Sequence, residues 1–115
     1  MFGSTFSGRL YYDSSDDFID IISFIIRDND IGFTLASVTS EYGRWTVSGT
    51  AARDGDGAYV AKNLHAKQMN ETCSSPWDLR FRVVSAGASL LVDGELTEMP
   101  FLPCRFDGEL EAFNK

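Results

Sequence analysis

His65 is the only histidine in the chain, so acid–base or metal chemistry that needs an imidazole would have to run through it. No Ser, Cys or second ligand stands at a spacing that would give it a catalytic or metal-binding companion. HExxH, P-loop and nucleophile-elbow patterns do not occur. Such a histidine is expected to be a surface or hydrogen-bonded side chain. The thiols are just as isolated. Cys73 lies in a polar stretch and Cys104 follows Pro103, with no CxxC or adjacent His, so free thiols are expected. Asp54-Gly55-Asp56-Gly57 and Asp28-Asn29-Asp30 are rich in oxygen ligands, as calcium loops are. Both lack the downstream bidentate Glu that completes such a site, whereas Asp and Asn also serve turns through local hydrogen bonds. Turns are the expectation. No catalytic residue, cofactor or metal is assigned, and the chain is not expected to be an enzyme.

These residues sit on segments that alternate apolar and polar with period two, the pattern of half-buried strands. Strands are expected over Phe6–Tyr12, Ile31–Ser40, Gly43–Arg53, Ala58–Lys67, Asp78–Val84, Ser89–Glu98 and Cys104–Phe113. Asp54-Gly55-Asp56-Gly57 is the strongest hairpin signal, with Glu41-Tyr42-Gly43 and Ser85-Ala86-Gly87 as further reversals. Phe18–Ile26 is open to two readings. Ser14, Ser15 and Asp17 could cap a short helix over 15–26, yet its isoleucines favour a strand because β-branched side chains suit a pleat. A strand there is apolar on both faces, so its outer face needs cover.

Four segments repeat one pattern: Phe6-Ser7-Gly8-Arg9-Leu10, Val47-Ser48-Gly49-Thr50-Ala51, Val92-Asp93-Gly94-Glu95-Leu96 and Phe106-Asp107-Gly108-Glu109-Leu110. In each, a glycine falls on the same parity as the apolar residues. Inward positions without a side chain suit a sheet that coils tightly. The fold class is therefore all-β: a small antiparallel up-and-down meander of seven or eight strands, forming a closed or nearly closed β-barrel and a single domain over 1–115. Its inner surface should carry Phe6, Leu10, Phe33, Leu35, Trp45, Val47, Leu79, Phe81, Val92, Leu96, Phe106 and Leu110. Trp77, entering its strand behind Pro76, is placed to cap one end of the core.

With glycines inward, Asp93, Glu95, Asp107, Glu109 and Glu111 point outward from two adjacent strands. Arg105 shares their face, Arg9 lies one strand to one side, and Arg80 and Arg82 one strand to the other. Cross-strand ion pairs are the ordinary use of such a face. The sharper reading is a docking surface for a protein partner with a basic surface. A second reading is an interior that holds an apolar or aromatic ligand among Phe33, Trp45, Phe81 and Phe106. On one parity of the Ala58–Lys67 strand, Tyr59, Asn63 and His65 would supply hydrogen bonds to it; on the other, Lys62 would point inward. That layout resembles the avidins and lipocalins in architecture alone, since Trp45-Thr46-Val47 does not reproduce their tryptophan signatures. A third reading is a homodimer contact through Phe18, Ile19, Ile21, Ile22 and Ile25.

The 115 residues hold 17 Asp and Glu against 10 Lys and Arg, a net charge of -7. That balance repels nucleic-acid backbones and anionic membranes, so neither is expected as a partner. The segment Met1–Leu10 has no secretory-signal pattern, and Phe18–Ile26 is too short for a membrane span, so a cytoplasmic location is expected. Asn70-Glu71-Thr72 is a glycosylation sequon, meaningful only if the chain is secreted. Taken together, the residues favour a non-enzymatic interaction module, such as an inhibitor, immunity-type or adaptor protein, over the ligand barrel.

Overall fold

Alternating apolar residues, many of them β-branched or aromatic, give strands almost everywhere the pattern predicts. The computed structural model describes residues 5–13, 15–98 and 102–112. Its strands are β1 (Thr5–Tyr12), β2 (Phe18–Ile26), β3 (Asp30–Thr39), β4 (Gly43–Arg53) and β5 (Tyr59–Leu64). Two short strands, β6 (Lys67–Gln68) and β7 (Glu71–Thr72), precede β8 (Trp77–Ala86), β9 (Ser89–Glu98) and β10 (Cys104–Ala112). β1 to β5 and β8 to β10 form an antiparallel barrel, closed where β1 runs against β10 from Phe6–Ala112 to Tyr12–Phe106. The small β6–β7 hairpin lies outside it and touches β4 through Thr46 and Lys67. The observed β4 and β9 have the expected limits, and β10 follows expectation as far as Ala112. Phe113, and Ser14 before β2, lie outside the described residues.

The ambiguous segment is a strand, not a helix. Its pairing with β3 slips between Ile21 and Ser23, which ejects Ile22 as a bulge. Before the bulge Ile19 and Ile21 face the core; after it Phe24 does. The outer face is covered from within the chain. Asp20 accepts hydrogen bonds from Arg9 at 3.0 Å and Arg44 at 2.9 Å. The Arg9 guanidinium also lies 3.8 Å from the centre of the Phe18 ring, whose edge Tyr11 meets.

A second slip corrects the expected Ala58–Lys67 strand. Tyr59 pairs with Phe81 and Ala61 with Leu79, but the next pair is Leu64 with Trp77. Asn63 takes a positive φ of 58° at this bulge, and its N–H donates to the Asp78 carboxylate at 3.0 Å. Parity therefore inverts in mid-strand. Tyr59 and Ala61 face inward before the slip, Leu64 and Ala66 pack inward after it, and Lys62, Asn63 and His65 are exposed. Neither uniform parity holds, and the strand ends at Leu64.

The core contains the expected inward residues; all are buried except Phe6 and Trp45, which pack half-buried against it. Phe81 stacks on Phe24 and on Tyr59, with ring centres 5.1 and 5.6 Å away. Each large aliphatic or aromatic side chain so buried contributes roughly 1.5–3 kcal/mol. The inward glycines mark where neighbouring strands crowd together. A Cβ on Gly94 would stand 2.7 Å from the Phe81 Cα, and one on Gly108 3.0 Å from the Arg9 carbonyl oxygen. Side chains there would push the wall open, so the repeated pattern reflects curvature.

The polar turns are structural. Asp54 accepts from the N–H groups of Asp56 and Ala58 at 2.8 and 3.0 Å, and Gly57 supplies a φ of 85°. Arg27 pairs with Asp30 across the β2–β3 turn at 3.1 Å. Among the described residues, no helix is long and apolar enough to cross a membrane.

Candidate functional site

In an up-and-down barrel, the exits of alternate strands meet at one end. Here the end of β1 brings Tyr12, the end of β3 brings Ser37 and Thr39, and the entrance to β4 brings Tyr42 and Trp45. The entrance to β8 adds Trp77, the end of β9 adds Leu96 and Glu98, and the start of β10 adds Cys104. Together with Ser15, Asp17, Cys73 and Leu102 they enclose a cavity of about 470 Å³, mostly apolar in its lining. Ser37, Trp77 and Leu96, all buried, join its lining to the core of the barrel.

The polar groups are few and placed. Tyr12 and Ser37 share a hydroxyl–hydroxyl bond of 2.7 Å, and Ser37 is only 5% exposed. Burial pushes the Tyr12 phenol up to about 12, although the Ser37 bond opposes the rise, so it stays neutral in ordinary buffers. Trp45 is oriented by donating its indole N–H to the Tyr42 carbonyl at 3.1 Å. The Trp77 ring is buried as expected of a core cap, yet it also borders the cavity, and its enclosed N–H has no partner among the described residues. An unmet buried donor of this kind costs about 1–3 kcal/mol. On the rim, Cys73 Sγ lies 3.6 Å from Glu98 Oε2, and Asp17 accepts from the Ser40 N–H at 3.0 Å. Both thiols are free.

Of the interior ligand set expected from sequence, only Trp45 lines this cavity. Phe33, Phe81 and Phe106 are at most 3% exposed and are taken up in packing, as is Tyr59. Asn63 and His65 are on the outside, for the reason given by the β5 bulge. Sequence reasoning missed the rest of the lining as a site, Tyr12, Asp17, Ser37, Tyr42 and Glu98 included. Strand direction alone could have found them, since it gathers Tyr12, Tyr42, Trp45 and Trp77 at one end.

The acidic face forms as laid out. Asp93 stands directly opposite Asp107, Glu95 opposite Arg105, and Glu109 between Leu91 and Arg9. The flanking arginines, however, turn to other acids. Arg9 binds Asp20, and Arg80 binds Asp54 at 2.5 Å and Asp56 at 3.5 Å. Arg82 donates to the Asp56 carbonyl at 2.9 Å. Arg105 divides itself between Glu95 at 3.5 Å and Asp13 at 3.8 Å. Glu111 accepts from the Ser89 hydroxyl at 3.1 Å. Among the described residues, Asp93, Asp107 and Glu109 make no ion pair within 4.0 Å.

The proposed dimer contact is thinned by the fold. Ile19 and Ile21 are in the core, Phe18 lies under Arg9, Ile25 is half-buried, and Ile22 is exposed at the bulge. Among the described residues, no group of three or more His, Cys, Asp or Glu side chains is placed to hold a metal. No protein-family model matches the chain, and no curated protein matches it in sequence.

Proposed function

We propose that this is a small-molecule-binding β-barrel whose ligand sits in the cavity at the barrel end, above the packed core. The observation that carries this reading is the cavity itself, about 470 Å³ among two tyrosines and two tryptophans. Ligand sites run roughly 300–1,000 Å³, are largely apolar and hold a few fixed polar groups. The Tyr12–Ser37 pair is such a group, held at 2.7 Å and still rich in lone pairs. The ligand class is an apolar or aromatic small molecule. The neutral fluorophore N-phenyl-1-naphthylamine should brighten on entering the site, and Trp45→Ala should weaken its binding about tenfold or more through lost aromatic contact. Undiminished binding in a Trp45→Ala protein that melts cooperatively would exclude the cavity as the site.

A second reading, docking of a basic protein through the outer face of β9 and β10, is favoured by one specific observation. Asp93 and Asp107 face each other and, among the described residues, neither makes an ion pair within 4.0 Å; like charges directly opposite across a ladder are unfavourable. A cationic partner surface would relieve that repulsion and gain on-rate from the field of the face.

A further inference from the structure

The cavity is selective in charge, and we propose that its ligand is a cation: an ammonium or alkylated ammonium group carried on an apolar or aromatic body. This rests on the ligand reading above and goes beyond it by fixing the sign of the ligand's charge. Among the described residues that enclose the cavity, two carboxylates, Asp17 and Glu98, are the only charged side chains. The nearby guanidiniums are engaged elsewhere, Arg44 with Asp20 and Arg105 with Asp13 and Glu95. A ligand carboxylate or phosphate would meet two like charges and no cation among the described lining residues.

The aromatic composition points the same way. Tyr12, Tyr42, Trp45 and Trp77 border the space, and electron-rich rings attract ammonium groups through their faces, most strongly where water is excluded. Glu98 comes from the end of β9 and Asp17 from the β1–β2 connection. Their fields are felt across the opening. The Tyr42 phenol is raised above its usual range chiefly by Glu41, with Glu98 adding to it, and Asp17 adds to the rise at Tyr12. A body of apolar atoms would occupy the space over Leu96 and Trp45 while its ammonium head lies toward the carboxylates. The net charge of -7 would further concentrate cations at the protein surface.

The chain's two tryptophans both line the cavity, so intrinsic fluorescence reports on it directly. Three probes of one size separate charge from shape: 4-phenylbutylammonium, 4-phenylbutanol and 4-phenylbutyrate. The ammonium should bind about tenfold or more tighter than the alcohol, as expected of a partly desolvated cation among aromatic rings. The carboxylate should bind more weakly still. Glu98→Gln should bring the ammonium down to nearly the affinity of the alcohol while leaving the alcohol unchanged, and Asp17→Asn should do the same in part. The conservative Asn keeps an oxygen for the Ser40 N–H. Equal affinity for ammonium and alcohol, or an ammonium preference that survives both substitutions, would overturn the cation inference and leave the ligand site standing. If none of the three probes perturbs the tryptophans at millimolar concentration, the ligand reading fails as well.

Discussion

Tyr12 shows how one buried side chain ties the cavity to the stability of the barrel. Its phenol is 2.7 Å from the Ser37 hydroxyl, and burial has moved it from an ordinary 10.0 to about 12. A raised folded value means that the folded state holds its proton more tightly than the unfolded state. The associated stability is fully present below pH 10 and is lost as pH rises through about 12. Thermal midpoints between pH 10 and 12 should therefore fall more steeply in the parent protein than in Tyr12→Phe, which has no such proton. The difference has a ceiling of about 1.4 kcal/mol per pH unit. Parallel pH profiles for the two proteins would show that Tyr12 does not carry this linkage. Asp20 works in the opposite sense. Burial raises its carboxyl, but Arg44 and Arg9 together bring it below the ordinary 3.8, so its contribution is present above 3.8 and is lost as pH falls from there through the depressed value.

At the scale of the element, curvature and bulges decide where side chains go. Gly94 and Gly108 lie where adjacent strands press closest, and Gly94 has the Phe81 backbone against the position a Cβ would need. Gly94→Ala should cost about 3 kcal/mol or more in chemical denaturation, because the wall itself must part. Gly55, in the β4–β5 turn, has nothing within 4 Å of that position and no positive φ. Gly55→Ala should stay within about 1 kcal/mol of the parent. A similar cost at both sites would show that crowding against the Phe81 backbone does not set the effect.

The strands themselves were legible, since alternation, turn glycines and the four repeated inward glycines all point to a coiled meander. Neither bulge was legible. Ile22 and Asn63 interrupt strands without any local turn signature, and each inverts the faces of every residue beyond it. For Asn63 the cause is the Asp78 carboxylate on the neighbouring strand, a partner fixed only when β5 and β8 are side by side. The cavity was hidden for a related reason. One or two residues from each of six barrel strands form it together with connecting residues, and periodicity within one strand says nothing about how the ends of others converge.

At the scale of the whole molecule, the distribution of charge matters more than its sum. The acids on β1 to β5 and their turns are in good part matched: Asp20, Asp30, Asp54 and Asp56 all hold arginines. Asp93, Asp107 and Glu109 are left to the solvent or to a partner. A variant with Asp93, Asp107 and Glu109 changed to Lys can be set against one with Asp16, Asp28 and Glu71 changed to Lys, which has the same net charge. At low ionic strength an octalysine peptide should lose most of its affinity for the first and little for the second. Equal losses would attribute binding to bulk charge and remove the case for a docking face. The cavity and this face are on different parts of the barrel, so Trp45→Ala should leave peptide binding intact.

The closure of β1 on β10 has a further consequence, for the path by which the chain folds. The β8–β9 hairpin closes through Gly87 and Ala88 alone, whereas the seam joins Phe6 to Ala112 across almost the whole described chain. Pairing across so long a loop carries a larger closure entropy and belongs to the late, slow part of folding. Until it forms, β1 and β10 are open edges able to recruit strands from other molecules. Asp107, Glu109 and Glu111 lie along one of those edges on three of its four outward positions, the fourth being Arg105. In the unfinished barrel they act as gatekeepers, because two copies of β10 brought edge to edge would set carboxylate against carboxylate.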